Sequence, residues 1–163
     1  MEKNLIVIKP HHFLDYLYDL AIDNRHDEPN PKGNKNGELC RDFMDGKLTR
    51  IIFTPLVDDI CRPCNQLNKK NKCTQLFDEI TTKNYGTNSK NEFNYQLDIK
   101  LNNVLPDIFV FNKEQRMIDV LVALQERLTK DIINLYLWKR DNRIENTFLG
   151  INKAIRLYEN TRK

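Results

Sequence analysis

Leu5-Ile6-Val7-Ile8-Lys9-Pro10-His11-His12-Phe13-Leu14-Asp15 changes periodicity in the middle, and that change decides the fold. Leu5–Ile8 is a short apolar run rich in β-branched residues, which predicts a buried strand. Pro10 suits the first position of a helix, and Leu14, Leu17, Leu20 and Ala21 recur at helical spacing. A helix near 11–22 is therefore expected directly behind the strand. Working outward, Asp23 to Gly37 has the Asn, Asp, Pro and Gly content of a loop. Glu38–Met44 predicts a short helix ended by Asp45-Gly46. Leu48-Thr49-Arg50-Ile51-Ile52-Phe53-Thr54 then predicts a second strand, a partner for the first.

Beyond Pro55 the chain turns helical. Thr74 is the expected cap of a helix running to about Thr82. Ser89 with Glu92 is a capping-box signature for a helix carrying Phe93, Leu97, Leu101, Val104 and Leu105 on one face. From Lys113 onward Met117, Val120, Leu121 and Leu124, then Ile132, Leu135 and Tyr136, then Phe148, Ile151, Ile155 and Tyr158 keep helical spacing. The expected fold is α+β: an α-rich single domain over residues 1–163, with a small two-stranded sheet and a metal-binding cysteine loop.

That loop is Asp58-Asp59-Ile60-Cys61-Arg62-Pro63-Cys64, followed by Lys69-Lys70-Asn71-Lys72-Cys73. A Cys-x2-Cys step lets two thiolates converge on one ion or cluster, and the turn-prone Asn65–Asn71 stretch brings a third back to them. Cys61, Cys64 and Cys73 are thus expected to bind a metal, and the spacing leaves zinc and a four-iron iron–sulfur cluster both open. Their neighbours are Asn, Gln, Lys, Arg and Asp, poor company for a cysteine buried only as a hydrophobe. A fourth ligand must come from elsewhere. Cys40 is the simplest donor, with His11, His12 and Asp15 as alternatives.

On a helix Asp15 falls four residues from His11 and three from His12, so its carboxylate is expected to hold one imidazole as a ligand or general base. His26, beside Arg25 and Asp27 in the polar loop, is expected to face solvent. The aromatics Phe13, Tyr16, Tyr18, Phe43 and Phe53 read as core.

Composition narrows the classes. A charged fraction of 30% against 40% hydrophobic describes a folded soluble chain, and no apolar run reaches the roughly 18 residues of a membrane span. The apolar stretch at residues 5–8 is too short for a signal peptide, so a cytoplasmic setting is expected, where four cysteines stay reduced. The net charge of +3 comes from interspersed signs and gives little support for nucleic acid. No phosphate-binding glycine loop or nucleophile elbow is present, which leaves nucleotide hydrolysis and serine chemistry without a basis.

Pro10-His11-His12-Phe13-Leu14 together with Asp58-Asp59-Ile60-Cys61-Arg62-Pro63-Cys64 and Cys73 resembles a small bacterial and archaeal family of unknown function whose members are thought to bind iron–sulfur clusters. The similarity extends more loosely into the helical half, including Leu137-Trp138-Lys139. Many members of that family carry a cysteine where this chain has Asp15. The resemblance implies a cluster on Cys61, Cys64 and Cys73, with Cys40, Asp15 or an exchangeable ligand at the fourth position. An open iron would act as a Lewis acid toward a small-molecule substrate, with His11 or His12 as acid–base partner; closure by Cys40 would instead suit electron transfer to a redox partner or a structural role. The alternative class is a zinc-stabilised binding module without catalysis.

Overall fold

The computed structural model describes residues 4–135 and 142–160. Its order is β1 (Leu5–Ile8), α1 (Pro10–Ala21), α2 (Asn36–Met44), β2 (Arg50–Phe53), α3 (Glu79–Tyr85), α4 (Lys90–Val104), β3 (Glu114–Arg116), α5 (Met117–Arg127), α6 (Lys130–Ile133) and α7 (Arg143–Asn160). The fold is α+β, as expected. The sheet has three strands rather than two, in the order β1-β2-β3. β1 and β2 run parallel, with Leu5 opposite Arg50 and Ile8 opposite Phe53, and β3 joins β2 antiparallel. A parallel pair needs a crossover, and α1 and α2 supply it.

Glu114-Gln115-Arg116 lies where the sequence predicts only helix. It has no apolar alternation, and it is a strand because β2 supplies its hydrogen-bonding edge, reinforced by Arg50 Nη1 donating to Glu114 Oε1 at 2.9 Å. The helix expected from Thr74 begins later. Thr74 instead donates its hydroxyl and its amide to the Gln66 carbonyl at 2.9 and 2.8 Å, and Asp78 caps α3 by accepting the Thr81 amide at 2.7 Å. Ser89 caps α4 as expected, its hydroxyl accepting the Glu92 amide. Tyr136 and Leu137-Trp138-Lys139 lie outside the described residues.

The core joins the inner face of the sheet (Ile6, Ile8, Ile51, Phe53) to α1, α4, α5 and α7. Phe13 meets Phe43 and Phe53 edge-on with ring centroids 5.8 and 5.6 Å apart. Phe13, Tyr16, Tyr18, Phe43 and Phe53 are all buried, which bears out their reading as core. α7 lies directly on α1 because Gly150 has no side chain: a Cβ there would collide with the Leu17 carbonyl. This close approach fixes α1, the helix that carries both histidines.

Candidate metal centre

The first turn of α1 is held by two carboxylates from distant parts of the chain. Asp58 Oδ2 accepts the amide of Lys9, the cap residue, at 3.0 Å, and Asp98 Oδ1 accepts the amide of His11 at 3.0 Å. The amide groups of a helix N-terminus favour this negative charge. Each carboxylate also takes the adjacent imidazole. His11 Nδ1 lies 2.9 and 3.0 Å from the two oxygens of Asp98, and His12 Nδ1 lies 2.7 Å from Asp58 Oδ2. The sequence assigned this task to Asp15. Asp15 instead sits 3.7 Å from Arg143 Nη2.

Asp58 is fully buried. Burial alone would push its pKa up, but the charge and hydrogen bond of His12, the Lys9 ammonium and the Cys61 amide outweigh that effect and hold it well below the carboxylate range. An ionised carboxylate only accepts, so His12 donates Nδ1–H to it, which leaves Nε2 as the ring nitrogen available to a metal or a substrate. His11 is 2% exposed, and desolvation lowers its pKa despite Asp98. It is a neutral, buried imidazole that sits behind His12, their ring centroids 4.2 Å apart.

The same acidic pair delivers the cysteines. Asp59 exchanges two hydrogen bonds with Val7 of β1: its Oδ2 accepts the Val7 amide at 2.9 Å and its own amide donates to the Val7 carbonyl at 2.9 Å. Asp58 Oδ1 accepts the Cys61 amide at 2.9 Å, and the Cys64 amide closes a turn onto the Cys61 carbonyl at 2.9 Å. Cys73 returns through a bridge to Leu67, with its amide donated to Asn91 Oδ1 of α4 at 3.2 Å. Behind it Phe77, Tyr85 and Phe93 form a cluster that ties α3 to the start of α4.

These parts converge on one cavity of about 250 Å³, whose walls include His12, Asp15, Cys61, Cys64 and Cys73. Ligand atoms of His12, Asp58 and Cys61 lie within 4.8 Å of one another. Cys61, Cys64 and Cys73 do not form such a triple, although all three face the cavity. Thiolates closed around one zinc at about 2.3 Å each would stand closer together than that limit. Burial, then the Asp58 carboxylate, push the Cys61 thiol up to about 12, so a cation must displace its proton to bind there. The amide oxygen Oδ1 of Asn94, from the same cavity wall, is buried with no hydrogen-bond partner among the described residues. The donor set of thiols, an oriented imidazole and carboxylates fits a metal or cluster.

Cys40 and His26 are placed differently from their expectations. Cys40 is fully buried, its Sγ 3.8 Å from both the Asn24 carbonyl and Met44 Sδ, and burial pushes its thiol up to about 12. It does not line the cavity. Its ligand-type neighbours are Asp19 and His26, all within 4.8 Å. His26 is not simply solvent-facing: its Nε2 is 2.7 Å from Asp19 Oδ2, and its carbonyl accepts Arg41 Nη1 at 2.9 Å. Gly37 allows this packing, since a Cβ there would stand 2.6 Å from the His26 carbonyl oxygen. Both His26 and Asp19 reach the wall of the cysteine cavity.

Asp98 and Asp58 are the carboxylates at the candidate site that the sequence reading missed. Asp98 is 87 positions from His11 and carries no local signal. Asp58 stands inside the cysteine motif, where an acidic residue three positions before the first cysteine was the available clue. No family model matches the chain, and no curated protein or solved structure matches it.

Proposed function

We propose that the protein binds an iron–sulfur cluster through Cys61, Cys64 and Cys73, with His12 at the rim as the fourth ligand or as an acid–base partner. The observation that carries this reading is the shared cavity of about 250 Å³ onto which all three cysteines and His12 open. Cys40 does not line the cavity, so the fourth position falls to His12, Asp15 or an exchangeable ligand. A cluster with one iron not bound by thiolate supplies a Lewis acid. The chain's own part is then to orient His12 through Asp58 and to set the N-terminus of α1 beside the anionic centre.

A single zinc ion is the second reading, favoured by the compact His12–Asp58–Cys61 triple. Anaerobic purification followed by metal analysis and a visible spectrum separates the two. Iron with sulfide and a broad visible absorption, lost together in Cys61→Ser, Cys64→Ser or Cys73→Ser, supports the cluster. Colourless protein with stoichiometric zinc under the same conditions supports the ion, and protein without either metal removes both.

A further inference from the structure

A second, larger cavity of about 640 Å³ adjoins the first and shares Lys9, Cys61, Cys73 and Asn91 with it. Its charge is one-sided. Lys9, Arg62, Lys70 and Lys72 line it, against the single carboxylate of Glu92. We infer that this cavity binds a small anionic molecule carrying a phosphate or carboxylate group, anchored by Lys9.

Lys9 is the reason. It is only 9% exposed, yet its ammonium has no hydrogen bond or ion pair with any other described residue. The buried Asp58 carboxylate feels its charge, but that carboxylate is already taken by the His12 imidazole and by the Lys9 and Cys61 amides, so the ammonium keeps its own hydrogen-bond donors for an anion that enters the cavity. Its backbone cannot move away, because the Lys9 amide is fixed to Asp58 and its carbonyl accepts the Phe13 amide at 3.0 Å. The two outer lysines are held as well. Asn68 Oδ1 accepts the amides of Lys70 and Lys72 at 2.8 and 3.1 Å, and Asn71 takes φ 57°, so the tip is a built turn. Among the described residues Arg62 has only a long 3.6 Å contact to Asp59 Oδ1.

The cations converge inside a concavity of the size that holds small ligands rather than along an open face, which favours a small molecule over a nucleic acid. Cys61 and Cys73 form the common wall. If the cluster reading above holds, the anion is seated against the centre and is its substrate; the anion site itself does not depend on that reading.

The test is calorimetric titration of the full chain with inorganic pyrophosphate, with malonate and with a single-stranded oligonucleotide, before and after chelation, with metal content measured on each sample. One of the small anions is expected to bind with one-to-one stoichiometry, and the tighter of the two identifies phosphate or carboxylate as the group recognised. Lys9→Met is expected to weaken that binding by at least about tenfold. Lys70→Gln with Lys72→Gln, two surface changes, gives an independent weakening should Lys9→Met not fold. Equal affinity in wild type and these variants, no binding of either small anion, or binding of the oligonucleotide alone overturns the inference. Anion binding to a protein that takes up no metal leaves the inference standing and removes the cluster; metal uptake without anion binding does the reverse.

Discussion

His12 Nδ1 and Asp58 Oδ2 are 2.7 Å apart, and the other oxygen of the same carboxylate accepts the amide of Cys61. One buried carboxylate therefore sets the orientation of the histidine and the position of the first cysteine together. It also accepts the Lys9 amide, which ties both to the start of α1.

Asp58→Asn should therefore destabilise the whole site. Hydrogen bonds to a buried charge contribute roughly 1.5–3 kcal/mol each, and their losses are not additive, so a total cost of about 2–4 kcal/mol is expected by urea denaturation. The pH dependence has a definite sign. The folded pKa of Asp58 is held below its unfolded value near about 3.9, so its stabilisation is complete above that pH and is lost as pH falls through the folded value. Stability of the wild type should rise with pH across the acid range more steeply than that of Asp58→Asn. Parallel acid limbs would remove Asp58 from this role.

Gly150→Ala should separate α7 from α1. The added Cβ meets backbone at Leu17, which cannot rotate away, so a cost of about 2 kcal/mol or more is expected from overpacking. Leu149→Ala, at a position 45% exposed, should change stability by less than about 0.5 kcal/mol. Thermal melts of the two variants compare them directly, and equal melting temperatures would contradict the close packing.

Parts of this arrangement were legible in the sequence because the signal is local. The apolar run followed by Pro10 fixes β1 and α1, and Ser89 with Glu92 fixes the start of α4. The cysteines declare themselves by spacing and by their polar neighbours. What could not be read depends on partners far along the chain. Asp98 looks like any helical aspartate until α4 packs against α1 and buries it on His11. Glu114-Gln115-Arg116 becomes a strand only because β2 offers an edge. Thr74 has the chemistry of a cap, but the Gln66 carbonyl takes its hydroxyl. Cys40 shares a residue type with the loop cysteines, and only the packing of α2 separates it from their cavity.

Cys40→Ser should leave metal content unchanged, since its sulfur faces Asn24 and Met44 in the core. The hydroxyl can donate to the Asn24 carbonyl but cannot replace the contact with sulfur, so a loss of about 1 kcal/mol is expected. Metal analysis of Cys40→Ser beside Cys61→Ser decides the assignment. A fall in occupancy in Cys40→Ser comparable to that in Cys61→Ser would bring Cys40 into the ligand set.

In chelated protein Cys61 should be a poor nucleophile. Its thiol is pushed up to about 12 by burial and the facing Asp58 carboxylate, so the thiolate fraction at pH 8 is on the order of 10⁻⁴ and alkylation by iodoacetamide should be correspondingly slow. Asp58→Asn removes the facing charge and should speed labelling of Cys61 selectively, which peptide mass spectrometry resolves from the other cysteines. The same proton governs metal uptake. Binding at Cys61 must release it, so apparent metal affinity should increase with pH across the neutral and alkaline range, and a pH-stat should record proton release on adding metal. Metal uptake without proton release would mean that the cation is held by His12 and carboxylates alone, and that Cys61 is a wall of the cavity rather than a ligand.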